Sequence, residues 1–187
     1  MSMQGFVATL LLAPAAAFAQ TYQLDPGHTY PSFEAGHMGI SIWRGKFNRS
    51  SGTVTLERAA RTGKVDIRID AASISFGHAQ LDEHARGPDF FNAERFPVIT
   101  YRGTISGWQG ETPTTVDGEL TLLGVSRPVT LTIHSFRCVR HPMLNREVCG
   151  ADASASFRRS EFGMSYGLPR NADEVRILIQ VEALRAE

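Results

Sequence analysis

Period-two alternation of apolar and polar side chains constrains this chain more than any other feature. Val65, Ile67 and Ile69 alternate with Asp66, Arg68 and Asp70, and Val129, Leu131 and Ile133 alternate with Thr130, Thr132 and His134. Val116, Gly118, Leu120 and Leu122 repeat the pattern against Asp117, Glu119 and Thr121. Val175, Ile177, Ile179 and Val181 do so against Arg176, Gln180 and Glu182, with Leu178 the exception. Successive strand residues point to opposite faces, so each run builds one apolar and one solvated face. Shorter runs at 53–56 and 98–101 behave alike, and turn-rich clusters at 48–52, 61–63 and 107–113 divide them. About eight to ten short strands of this kind fit an antiparallel sandwich or a closed barrel. One segment reads as helix, Ala79 to Arg86, and Gly87-Pro88 ends it.

Residues 1–20 are unlike the rest. They contain no Lys, Arg, Asp or Glu, and 6–17 is an apolar run broken only by Thr9 and Pro14. That is short of the ~20 residues a membrane span needs but suits the core of a signal peptide. Ala17-Phe18-Ala19 offers small residues at the −3 and −1 positions of a cleavage site. A basic n-region beyond the terminal amine is missing. The expectation is a signal peptide over 1–19, one domain over 20–187, and export to the periplasm. An oxidising compartment makes the two cysteines, Cys138 and Cys149, an expected disulfide. Closing so short a loop contributes roughly 2–3 kcal/mol.

Charge narrows the partners. Lys+Arg and Asp+Glu are both 19, so the formal net charge is zero and a phosphate-neutralising surface for nucleic acid is not expected. An apolar or neutral partner is.

The punctuation between strands is similar to that of the YceI-like family. The resemblance starts at Tyr22-Gln23-Leu24-Asp25-Pro26-Gly27-His28 and Phe33-Glu34-Ala35-Gly36-His37-Met38-Gly39. It runs through Gly45-Lys46-Phe47, Leu81-Asp82-Glu83-His84-Ala85-Arg86-Gly87-Pro88-Asp89-Phe90-Phe91-Asn92 and Phe96-Pro97. It resumes over 118–125 with Pro128-Val129, and closes with Arg159-Ser160-Glu161-Phe162-Gly163-Met164 and Asp173-Glu174-Val175. Membership implies an all-β, single, extended antiparallel lipocalin-like barrel of about eight strands with one short helix near 79–86. It also implies a polyisoprenoid or quinone lipid held inside, a homodimer in many members, and a cytochrome b561-type membrane protein as partner of some.

The residues themselves suggest a lining for such a ligand. Phe33 and His37 share a face with Ala35, and Trp43 and Phe47 share one with Gly45. Small residues at inward positions, Ala35, Gly45 and Gly118, are expected to leave volume unfilled. Phe90 and Phe91 follow the helix and are placed to cap an opening; Phe162 and Met164 flank Gly163, and Met38 and Met164 supply adaptable wall. His28, Asp82, His84 and Arg86 are expected as a polar mouth, and Arg158-Arg159 as a solvated face or an anion contact. Such a lining needs no charge: at about 0.3 kcal/mol per heavy atom, a lipid of roughly 40 carbons reaches nanomolar affinity. No metal is expected: His28, His37, Asp82 and His84 are ligand types that suit zinc, but Asp82 and His84 are only two positions apart and no HExxH-like helix or Cys cluster supports them. No cofactor and no catalysis are expected either, as nucleophile elbow and phosphate loop are both missing. The rival readings are an enzyme using His28, His37 or His84 on the same lipid, and a structural module whose barrel its own side chains fill.

Overall fold

Each alternating run falls within a strand. The computed structural model describes residues 19–187, so the expected signal peptide, apart from its last residue, lies outside the described residues. In chain order the elements are β1 (Gln20–Leu24), β2 (Tyr30–His37), β3 (Ser41–Phe47), β4 (Ser50–Glu57), β5 (Thr62–Asp70) and β6 (Ile74–Ser75). They continue with α1 (Ala79–Arg86), β7 (Val98–Gln109), β8 (Thr112–Leu122), β9 (Val125–Arg140), β10 (Glu147–Arg158) and β11 (Glu174–Arg185). The helix occupies the residues expected of it.

Strand β1 closes the sheet into a barrel. It pairs with β4 on one side (Tyr22 opposite Val54) and with β11 on the other (Tyr22 opposite Arg185). The ring β1-β4-β5-β7-β8-β9-β10-β11 is therefore an eight-stranded antiparallel barrel. Because β1 is short, the first half of β11 pairs instead with β2, from Val175 opposite Ala35 to Gln180 opposite Tyr30. The β2–β3 hairpin continues outward, and β3 then meets only the two residues of β6. The sheet thus flares at the end holding the β2–β3 turn, α1 and the 163–172 loop. The turns after β4, β7 and β9 lie at the opposite, narrower end.

Inward positions follow the alternation along most of each strand; the parity changes near Gly107, where β7 and β8 pair irregularly and Pro113 and Val116 both face the interior, and again in β9. There Ala153 opposes Ile133 while Asp152 opposes Ser135, so His134 is an extra residue and the facing parity changes. Val129, Leu131 and Ile133 point in before the bulge; Phe136 and Cys138 do so after it. Leu178, the exception in its run, sits outside the cavity lining between its inward neighbours Ile177 and Ile179. The Cys138–Cys149 disulfide is present and joins directly opposed residues of β9 and β10, with Cα atoms 4.0 Å apart. The intervening loop is shorter than its sequence span suggests, because both cysteines lie inside strands and only 141–146 turns.

Two hairpins turn on a pair of residues with positive φ, as a type I′ turn requires. β8 and β9 are joined by Leu123 (φ 54°) and Gly124 (φ 74°), and β2 and β3 by Met38 (φ 52°) and Gly39 (φ 71°).

Candidate functional site

The barrel encloses a cavity of about 290 Å³. Its walls are the inward faces of the strands. On β10 the lining runs from Cys149 to Phe157, roughly 26 Å of strand at ~3.3 Å per residue. Val65, Ile67, Ile133, Ile177 and Ile179 all face this space and are only half-buried. A residue in a filled core is sealed by neighbours on every side. Here the remaining accessible surface of inward-facing apolar groups opens onto the interior.

The narrow end is sealed. Tyr22, Leu56, Ile105 and Pro113 line it and are buried. The Tyr22 hydroxyl donates to Glu147 Oε1, and Glu147 also pairs with Arg58 at 3.5 Å. Burial, reinforced by that carboxylate, pushes Tyr22 up to about 12, so the seal stays uncharged.

The flared end is where the lining becomes partly exposed and polar. Trp43 and His37 stack at 4.0 Å between ring centroids with an interplanar angle of 19°. His84, on α1, meets Phe90 and Tyr166 edge-on at 5.0 and 5.5 Å. Asn171 completes this rim and accepts the Met38 N–H at 3.3 Å. Below the rim, Phe33 touches Phe47, Phe76 and Phe91 at centroid distances of 6.1, 5.6 and 6.2 Å. Such tilted and edge-to-face aromatic clusters are favourable beyond their burial.

Of the residues expected to line a ligand, Phe33, Ala35, His37, Trp43, Phe47, Phe90, Phe91 and Met164 border the cavity. Met38 and Phe162 do not. Met38 is at the tip of the β2–β3 turn, and Phe162 is buried in an edge-to-face contact with Phe157 at 5.2 Å, outside the lining. Phe76 was not anticipated; only its place just before the helix, next to Gly77, marked it as special.

The expected polar mouth divides. His84 stands on the rim. His28 does not: it lies in the exposed turn between β1 and β2, with Nδ1 2.8 Å from Asp25 Oδ2. Asp82 is consumed structurally, its Oδ1 accepting the Phe76 N–H at 2.6 Å and tying α1 to β6. Arg86 gives its backbone carbonyl to the Ala93 N–H and does not line the cavity. His28, His37, Asp82 and His84 do not converge; among the described residues the one cluster with metal-ligand spacing is Cys138, Glu147 and Cys149, whose sulfurs are bonded to each other.

Two sequence expectations about volume and charge need correction. Gly45 and Gly118 do not leave the cavity open, because neighbouring rings occupy the space: a Cβ on Gly45 would lie 2.6 Å from Phe33 Cζ, and one on Gly118 2.5 Å from Tyr101 Cζ. Arg159 is neither solvated nor free for an anion. It is buried at the cavity edge, and its guanidinium donates to the carbonyls of Ala172 (2.9 Å), Met164 (3.1 Å) and Tyr166 (2.9 Å). Sequence could not show this, since the acceptors belong to a loop fixed only by the fold.

A YceI-like domain model matches residues 22–183. A UPF0312 protein of Photorhabdus laumondii is 32% identical over 179 residues, covering 94% of this chain and 92% of its own. Among solved structures, BcnA of Burkholderia cenocepacia superposes with a TM-score of 0.68 at 22% identity, over 86% of this chain and 99% of its own. A polyisoprenoid binding domain from Saccharophagus degradans does so with a TM-score of 0.64 at 14% identity, over 88% and 98%. At such identities the structural likeness speaks for the fold.

Proposed function

The chain belongs to the YceI-like family, and from that premise we propose that it is an exported carrier or store for a long-chain isoprenoid lipid of the quinone or polyprenyl type. One observation carries the reading: apolar inward side chains along the barrel remain half-exposed to an interior space instead of packing on one another. An apolar chain entering that space removes their surface from water at about 25 cal/mol per Å² without requiring a charge. His37, His84 and Asn171 of the lining stand at the flared end, which suits a tail inside and a polar head at the rim. The polyisoprenoid binding domain that shares this fold supports the ligand class. On this reading no bond is made or broken, and His37 and His84 serve through their rings, both held in aromatic contacts.

The test is mass spectrometry of the organic extract of protein purified from a bacterial periplasm without detergent. A stoichiometric long-chain isoprenoid is the expected result. An empty extract, together with no rise in melting temperature on adding ubiquinone or a polyprenol, would overturn the reading, since a tight ligand must stabilise by mass action.

A further inference from the structure

The β2–β3 hairpin carries three exposed apolar residues, Met38 (52% exposed), Ile40 (79%) and Ile42 (53%). Nothing in the fold accounts for them. The β8–β9 hairpin, which turns on the same pair of positive φ angles, offers a comparison: its apolar member, Leu123, is half-buried and packs against the core. Met38 adopts the same left-handed conformation, which Asn or Gly adopts more readily, and gains no burial for it. The hairpin also stands at the cavity's open end. His37 and Trp43, which flank the turn, line the rim, and Asn171 of the rim holds the Met38 N–H. Tyr166, half-exposed beside His84 and Phe90, adds an aromatic ring with a polar tip on the same side.

We propose that this hairpin is a membrane-docking element: its tip inserts into the apolar edge of a lipid bilayer and sets the cavity mouth against the membrane. The inference rests on the lipid-carrier reading. A water-insoluble chain moves into the barrel without crossing water only if the mouth meets the bilayer directly, and here the exposed apolar tip is continuous with that mouth. Aliphatic residues with a neighbouring Tyr are the usual composition of an interfacial contact. Charge has little part in it. The formal net charge is zero, and Arg44 on β3 is already paired with Glu34 at 2.8 Å. The docking proposed is hydrophobic, and so it is expected to be insensitive to salt. The molecule supplies its own control in Met143, 84% exposed in the turn after β9 at the sealed end.

The experiment is flotation of the purified protein with vesicles of phosphatidylethanolamine and phosphatidylcholine. Wild type is expected to float at low and high salt alike. Met38→Asn and Ile40→Ser should each lower the bound-to-free ratio about tenfold, the size expected for losing one buried apolar side chain. Met143→Ser should float as wild type does. Met38→Asn places a favoured residue in the turn, so a lost fold would not explain its effect. Equal flotation of the hairpin variants, an equal loss in Met143→Ser, or release by salt would each overturn the proposal. So would hairpin-dependent self-association without flotation. Extracts of the same preparations separate the two readings: protein that carries isoprenoid but never floats defeats docking alone, and protein that carries none defeats the carrier reading with it.

Discussion

The ring of Tyr101 lies over Gly118, and the two residues belong to adjacent strands. From there the Tyr101 hydroxyl reaches across β8 to donate to the Val129 carbonyl at 2.8 Å, with the Val116 carbonyl at 3.2 Å. A side chain at Gly118 would exclude the ring, so the glycine exists to seat a tyrosine that links three strands. Gly118→Ala is expected to destabilise by roughly 1–3 kcal/mol through overpacking. Tyr101→Phe should cost only about 1 kcal/mol, since it removes a hydrogen bond but keeps the ring. Urea unfolding of the two variants checks the order; an equal or reversed pair would show that the ring is not what Gly118 accommodates.

The turn that passes β11 from one partner strand to the next is held by Asp25 and His28. Asp25 accepts the Gly27 N–H at 2.8 Å and meets His28 Nδ1 at 2.8 Å. The hydrogen bond with Asp25 raises His28 above its ordinary 6.5, and the same bond holds Asp25 below 3.8. A raised imidazolium stabilises fully below 6.5 and loses its contribution as pH climbs through the folded value. A depressed carboxylate contributes above 3.8 and loses it as pH falls. The pair is therefore strongest between these two limits. In an NMR titration, Asp25→Asn should return His28 toward 6.5, and the stability gap to wild type should narrow on either side of that window.

Strand positions are legible wherever one face is buried, because alternation is enforced by the same burial that it reports; the order of the strands around the barrel is not. Val65 to Ile69 and Val175 to Val181 were read correctly for that reason, and α1 was readable from the Gly87-Pro88 stop. The bulge at His134 was not legible, since an extra residue is defined only against the opposite strand. Aromatic residues on strands were placed well, because strand parity fixes which way Phe33, Trp43 and Phe47 point. Met38 and Phe162 lie in a turn and in the short helical turn Arg159–Phe162, where parity says nothing. Asp82 and Arg159 look available in the sequence because the Phe76 N–H and the three carbonyls that hold them are backbone groups without a residue-type signature.

Arg159 organises the loop that borders the mouth. Three carbonyls of residues 164–172 converge on one planar guanidinium, and burial lowers its ordinary pKa without removing the charge. Lysine offers a single nitrogen in place of this fork. Arg159→Lys should cost about 2–4 kcal/mol, with buried carbonyls left unpaired. Hydrogen exchange should then quicken in 163–172 more than in β7 or β8. Uniform loss of protection across the barrel would mean that Arg159 serves the core instead of the loop.

Ala153 gives access to the cavity from its wall. It is buried on β10, lines the cavity, and lies opposite Ile133 and Ile179. A phenylalanine there projects into the space that the carrier reading assigns to lipid. If that space is normally occupied by a chain, Ala153→Phe should purify with its isoprenoid largely lost. If the ring is simply taken up by empty volume, the apo protein should lose less than the roughly 1–3 kcal/mol that overpacking a filled core costs. The two measurements are independent, one on the extract and one on the melting curve of delipidated protein. Retained lipid with a large loss of stability would mean that the chain runs elsewhere in the barrel and that Ala153 faces a packed layer.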